Sequence, residues 1–297
     1  MTDRLLGSGL IIVDKPAGMT SHDVISRLRR IFGTRRVGHA GTLDPMATGV
    51  LVVGIERGTR FLAHLVTETK TYRATIRLGA STTTDDAEGD ITSRTDTTDV
   101  TDTLIDAAIA QLTGDIMQKP AAVSAIKIDG KRAHERVRDG ETVDIPARPV
   151  TVHRFDVLDR RSVDGYIDLD VDVFCSSGTY IRSLARDLGN ALGVGGHLTA
   201  LRRTTVGPFD LTHARTLEEL EDNPQLSLTL DQALAASFPI LRVSGEEGHK
   251  LAMGQWLELR GLKGIHAAVT PDGQAVALVK EKGKRLATVF VARPSTL

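Results

Sequence analysis

The sequence predicts an α/β fold of the α+β kind followed by a small β-rich C-terminal segment, and three observations carry that prediction. Two stretches alternate apolar and polar residues as half-buried strands do. They are Thr71 to Leu78, with Tyr72, Ala74, Ile76 and Leu78 on one face, and Tyr166 to Ser176, with Ile167, Leu169, Val171, Val173 and Cys175 on one face. Other segments carry apolar residues at helical spacing, among them Val24, Leu28 and Ile31, and then Leu104, Ile105, Ala108, Ile109 and Leu112. Beyond Pro239 the text turns to short strands broken by glycine turns: Trp256 to Leu259, Ile265 to Val269, Ala275 to Val279 and Ala287 to Val291. That last pattern reads as a small barrel or roll.

Taken in order, Leu10 to Val13 is a short buried strand, and Thr20 or Ser21 caps a helix over His22 to Phe32, with Asp23 favourable at its positive end. Gly33 follows where a helix C-terminus favours glycine. Val50 to Ile55 is a strand, and Gly58 to Val66 a short helix with Phe61, Leu62 and Leu65 inward. Ser81 to Asp102 is polar, acidic and threonine-rich, which predicts an exposed loop. Gly114 ends the helix built on Leu104 to Leu112, and Gln118-Lys119-Pro120 opens a loop. Val123 to Ile128 is strand-like, Asp129-Gly130 is a turn signal, and Lys131 to Arg138 is a short basic helix. Pro149 to Leu158 pairs with Tyr166 to Ser176. Asp168, Asp170 and Asp172 line the polar face of the latter, alternating with β-branched residues as in a plain amphipathic strand, so no metal is expected there. Cys175 falls on the buried face, where core is the simpler reading. Thr179 to Leu192 is a helix with Arg182 in its first turn, a place the helix dipole disfavours for a cation unless an acid holds it. Asp231 can cap a helix running to Ser237.

A chain of 297 residues can hold two domains and a sizeable core. One cysteine excludes an internal disulfide and any multi-cysteine zinc site. No apolar run approaches the length of a membrane span, and the start does not resemble a signal peptide, so a cytoplasmic protein without membrane contact is expected. The net charge of −1 hides segregation. Residues 1–80 carry twelve Lys/Arg against six Asp/Glu, residues 81–118 one against nine, and residues 119–154 eight against five. Such basic blocks can form a phosphate-binding face; random surface charge explains them as well.

The stretch from Gly38 to Leu51, Gly-His-Ala-Gly-Thr-Leu-Asp-Pro-Met-Ala-Thr-Gly-Val-Leu, holds three glycines, one proline, one histidine and one acid. Glycine density lets a backbone take positive φ and approach a ligand, and Pro45 restricts Asp44 to extended conformations. A carboxylate held on such a loop can cap a turn or carry nucleophilic or acid–base chemistry, and the residues alone leave both readings open.

This stretch resembles the signature loop of the bacterial tRNA pseudouridine-55 synthases, the TruB family. Four further stretches resemble motifs of the same family in the same order: Asp14-Lys15-Pro16-Ala17-Gly18, Lys70-Thr71-Tyr72-Arg73, Ser177-Gly178-Thr179-Tyr180-Ile181-Arg182 and His197-Leu198-Thr199-Ala200-Leu201-Arg202-Arg203. The resemblance implies a pseudouridine synthase catalytic domain over residues 1–239, built on a mixed, mostly antiparallel sheet, with a thumb-like insertion at about 119–148 that clamps RNA. It implies a PUA-like RNA-binding domain over residues 240–297. It implies isomerisation of uridine 55 in the T loop of tRNA, on a flipped-out base, with no cofactor and no metal. The partner is the tRNA T stem-loop, and the protein acts as a monomer without an obligate protein partner. By the same resemblance Asp44 is the catalytic nucleophile. Tyr72 lies against the target base, and Arg182 holds Asp44 ionised. His39 fills the space the base leaves, Leu201 gives the base an apolar contact, and Lys15 and Tyr180 support the loop and the pocket. A glycosidase is the rival chemistry; it uses two partnered carboxylates, and the loop supplies one.

Overall fold

The computed structural model describes residues 5, 7–66, 68–121, 127–128, 131–132 and 145–295, with backbone alone at 127–128 and 131–132. The chain divides into two compact units, residues 1–66 with 205–297, and residues 67–204. The fold is mixed α/β. Of the strand pairings whose register is described, all are antiparallel except one.

In the first unit the strand Gly9–Lys15 lies between Leu228–Thr229 and Thr48–Ile55, and Val37–Ala40 pairs with the last of these. Its apolar run is buried on both faces, which is why it does not alternate. Ile11 and Val13 pack with Leu51 and Val53 against Val24, Ile25 and Leu28 of the helix Ser21–Ile31. Leu10 and Ile12 pack with Val50 and Val52 against Phe61, Leu65, Leu230 and Leu234. Thr20 caps the first helix: its hydroxyl accepts from Asp23 N–H while the Asp23 carboxylate accepts from Thr20 N–H. The helix Leu230–Ser237 is capped by Thr229, not by Asp231, which instead pairs with Arg293.

The segment expected as a barrel or roll forms an open four-stranded sheet, in the order Ile240–Arg242, Ile265–Val269, Ala275–Lys282, Arg285–Val291. Its first two strands are parallel, and the connection between them carries a helix that the sequence reading missed, Gly245–Ala252, with a Ser244 capping box. Trp256 to Leu259 is not a strand. It contributes one bridge, Leu257 to Leu286, and Trp256 stays half exposed with the Arg285 guanidinium 4.5 Å from its ring centroid.

In the second unit the strands run in the order Gly196–Val206, Lys70–Leu78, Tyr166–Cys175, Arg148–Val163, Gly114–Gln118. Tyr72, Ala74, Ile76 and Leu78 are buried, as the alternation requires, and so are Ile167, Leu169, Val171, Val173 and Cys175. Three corrections arise here. The strand expected over Pro149 to Leu158 is sixteen residues long and absorbs two register shifts against its partner. Gly114–Gln118, read as a helix end running into a loop, is an edge strand on it. Ser81 to Asp102 is not an exposed loop throughout: Ala80–Thr82 pairs with Ile91–Arg94, and Asp86 is 2% exposed.

On the strand Tyr166–Cys175 each aspartate of the polar face meets an arginine of a neighbouring strand. Asp168 accepts from Arg77 at 2.7 and 2.8 Å, Asp170 pairs with Arg161 at 2.5 Å, and Asp172 pairs with Arg154 at 2.5 Å. These are cross-strand ion pairs. Among the described residues of the thumb-like insertion, two two-residue strands pair antiparallel, Ile128 with Lys131 and Lys127 with Arg132. Lys131–Arg132 is thus a strand where a helix is expected, and the rest of that expectation, like the strand at Val123 to Ile126, lies outside the described residues.

Candidate active site

The loop bearing Asp44 connects the strands Val37–Ala40 and Thr48–Ile55, and its two ends turn through Gly41 (φ +81°) and Gly49 (φ +100°), backbone states that L side chains rarely adopt. The loop is pinned on both sides of the acid. On one side the Ser21 hydroxyl accepts from Leu43 N–H at 2.9 Å and donates to Leu43 C=O at 3.1 Å, and both residues are buried. On the other side the Pro45 carbonyl accepts from Gly18 N–H at 2.8 Å and from the Lys15 ammonium at 3.2 Å. Lys15 is fully buried and also donates to the carbonyls of Met19 at 2.6 Å and Pro16 at 2.8 Å. Three carbonyl dipoles thus surround this ammonium, as buried charge requires. Ala47 N–H closes the turn onto the Asp44 carbonyl at 3.0 Å. The Asp44 side chain is itself half-buried. His39 lies on the strand entering the loop, opposite Val53.

In the second unit Tyr72 sits on the buried face of the strand Lys70–Leu78, in register with Val173 and 7% exposed. Leu201 is buried on the strand Gly196–Val206. Tyr180 is the N-cap of the helix Ile181–Ala191, but its side chain does no capping. Gln118, nearly fully buried, fixes that helix start instead. Its side-chain carbonyl accepts from Tyr180 N–H at 2.8 Å, and its amide donates to Tyr180 C=O at 3.1 Å.

Arg182, two residues on, is 5% exposed. Its Nη1 donates to Thr84 C=O at 3.1 Å and stands 3.5 Å from Asp86 Oδ2. Asp86 also accepts from the Thr84 hydroxyl at 2.5 Å and from Glu88 N–H at 3.1 Å. Beside it Asp85 has φ +60°, and burial pushes its carboxyl above the usual range against the pull of Arg186, 3.2 Å away. A first-turn arginine needed an acid, and Asp86 is one that the structure supplies, from the segment the sequence assigned to solvent.

Lys70 is also perturbed. It donates to Glu68 C=O at 2.8 Å and to the Ser177 hydroxyl at 3.3 Å, and burial, aided by the Arg203 charge, pulls its ammonium down to about 8. Cys175 is fully buried, and burial pushes its thiol up to about 11.

Sequence reasoning missed Ser21 as a loop clamp, Gln118 and Asp86. Ser21 was read as one of two caps for the same helix; with Thr20 taking the cap, the second hydroxyl was the only available sign. Gln118 and Asp86 gave no local signal.

A rigid acid-bearing loop in one unit, and in the other a buried, acid-held arginine and a buried strand tyrosine, are parts suited to carboxylate chemistry. Comparison with known proteins identifies the class. Residues 29–181 match the TruB family pseudouridylate synthase N-terminal domain, residues 182–236 the tRNA pseudouridylate synthase B C-terminal domain, and residues 238–293 the tRNA pseudouridine synthase II C-terminal domain. The chain is 72% identical over 297 residues to the tRNA pseudouridine synthase B of Corynebacterium efficiens, covering all of both chains. It is 70% identical over 300 residues to the protein of the same name from Corynebacterium diphtheriae, again covering all of both. Among solved structures, it resembles a chain of a Cbf5-Nop10-Gar1 complex with TM-score 0.73 and 27% identity, covering 98% of this chain and 87% of that one. It also resembles a chain of an H/ACA RNP bound to a substrate RNA containing 2′-deoxyuridine, with TM-score 0.72 and 26% identity, covering 96% and 85%. The chain belongs to the TruB family of pseudouridylate synthases. It is a pseudouridine synthase, an isomerase. Among the described residues, no helix is long and apolar enough to cross a membrane.

Proposed function

We propose that this enzyme converts a uridine of tRNA to pseudouridine, and specifically uridine 55 of the T loop, with Asp44 as nucleophile. The observation that carries the reading is the pinning of the backbone on both sides of Asp44, by Ser21 at Leu43 and by Lys15 and Gly18 at Pro45. A carboxylate that only capped a turn would not need its neighbours held from two other segments. One that must meet a sugar carbon does, because small misplacements cost large factors in rate. Names of close relatives support tRNA as the substrate.

Isomerisation breaks the N1–C1′ bond, turns the uracil and rejoins it through C5. The target base must leave its stack at a cost of a few kcal/mol. An ionised Asp44 attacks the sugar or removes a proton from it. Tyr72 offers the ring against which the base lies, Leu201 an apolar contact, and His39 occupies the vacated place in the RNA. Arg182 contributes a fixed positive charge toward the nucleophile's carboxylate. Tyr180 and Lys15 act by support: Lys15 holds the loop, and Tyr180 carries the helix start that presents Arg182. Residues 1–239 form the catalytic domain, with the insertion at about 119–148 as the RNA clamp, and residues 240–297 the RNA-binding domain. The enzyme works in the cytoplasm as a monomer, without cofactor.

The test is to incubate the purified chain with unmodified tRNA and map pseudouridine by position, alongside Asp44→Asn. Pseudouridine at position 55 from the parent chain, and none from a variant that still binds tRNA within a few-fold, is the expected result. Modification at another position would overturn the site assignment, and substantial turnover by Asp44→Asn the nucleophile.

A further inference from the structure

The first unit holds a recess of about 670 Å³, open to solvent, whose lining includes Ser8, Thr34, Arg36, Arg57, Thr59 and Arg60. It is remote from the Asp44 loop. The strand Thr48–Ile55 joins the two, and its eight residues at roughly 3.3 Å each set its ends about 23 Å apart. Arg36 enters the neighbouring strand at the recess end, since Val37 is in register with Ile55.

The recess carries more positive charge than it neutralises. Among the described residues Glu56 is the one acid in its lining, and it is engaged by Arg36 at 3.4 Å and by the Thr34 hydroxyl. Arg57 donates to the main-chain carbonyls of Ala292, at 2.7 Å, and Val291, and lies 5.8 Å from the Phe290 ring centroid. Among the described residues neither Arg57 nor Arg60 has a carboxylate partner. Burial and the nearby Arg60 charge both disfavour the protonated Arg57. Arginines crowded into a polar recess repel one another, and a tetrahedral anion there would relieve that repulsion while accepting from guanidinium donors.

We propose that this recess is a phosphate-binding site, separate from the catalytic loop, in which the Arg60 and Arg57 guanidiniums hold a phosphate group beside Thr34 and Thr59. Two sources share that chemistry, a phosphodiester of the RNA substrate at a distance from the reacting nucleotide and a free phosphorylated small molecule. The first rests on tRNA being the substrate; the site itself does not.

The probe is inorganic phosphate, titrated into the full-length protein at constant ionic strength while backbone amide resonances are followed, with Arg60→Glu as the variant. Arg60 is exposed, and no described side-chain bond depends on it, so the substitution leaves the fold intact. Saturable shifts at Thr34, Arg57 and Thr59, weakened at least about tenfold in Arg60→Glu, are expected. Tight binding of full tRNA and of an isolated T stem-loop then assigns the source. If Arg60→Glu weakens full tRNA about fivefold and lowers its salt slope by about one while sparing the stem-loop, the phosphate is the RNA's. If both RNAs bind unchanged, the ligand is a free phosphorylated molecule. Shifts that do not saturate, or that persist in Arg60→Glu, overturn the site whatever the variant does to RNA.

Discussion

Ser21→Ala removes one oxygen from the fold and tests how Asp44 is held. That oxygen makes two hydrogen bonds to Leu43, at 2.9 and 3.1 Å, and both residues are buried. The variant therefore leaves a buried N–H and a buried C=O unpaired, each costing about 1–3 kcal/mol, so the loss of stability should be about 2–6 kcal/mol, less whatever the loop regains by admitting water. A suitable reference is Thr20→Ala, on the adjacent residue of the same helix, which breaks the capping box and costs about 1 kcal/mol. Denaturant unfolding gives the stabilities, and single-turnover pseudouridine formation gives the rates. Thr20→Ala should keep its rate. Ser21→Ala should lose at least about tenfold in rate with substrate affinity little changed, because Leu43 is covalently joined to Asp44 and geometry is what the clamp supplies. A Ser21→Ala enzyme that loses stability but reacts at the parental rate would refute the argument that the clamp positions the acid.

Asp86→Asn takes the charge from a carboxylate that stands 3.5 Å from Arg182, both groups being buried. It should cost up to about 3–5 kcal/mol of stability and lower the rate more than the affinity, as separate kcat and KM measurements would show. Lys70 has its folded-state pKa lowered to about 8, against an unfolded value of about 10.4, so between those pH values the unfolded chain binds more protons. Stability should rise by up to about 3 kcal/mol from pH 8 to 10.5 on account of this residue, and Lys70→Met should lack that rise in denaturant titrations across the window. Cys175, fully buried with its thiol pushed up to about 11, should resist a maleimide at pH 7.5 in the native protein and react once the chain is unfolded.

What the sequence showed and what it hid divide along one physical line. Alternation placed Tyr72 and Cys175 on buried faces, and helical spacing placed Arg182 in a first turn, because these facts depend on residues a few positions apart. Most of the errors fall where a partner lies far along the chain; the missed helix Gly245–Ala252, whose Ser244 capping box is local, is an exception. Gly114–Gln118 is an edge strand because Arg148 to Val152 lies beside it, and only that pairing turns its residues from loop to strand. Ser81 to Asp102 reads as solvent-exposed loop because its acids and threonines are hydrophilic, yet Asp86 is buried and pairs with a side chain nearly a hundred residues away. The same division runs through the site. The residues that resemble a catalytic set are legible as motifs, because chemistry constrains their identity. Those that hold them in place, Ser21, Gln118 and Asp86, are polar groups whose meaning is set by the backbone or charge they meet. A hydroxyl beside a helix cap reads as a second cap until the loop that it clamps is folded against it. Substitutions at these supporting residues therefore distinguish positioning from chemistry more sharply than further changes at Asp44, since they leave every proposed reacting group in place.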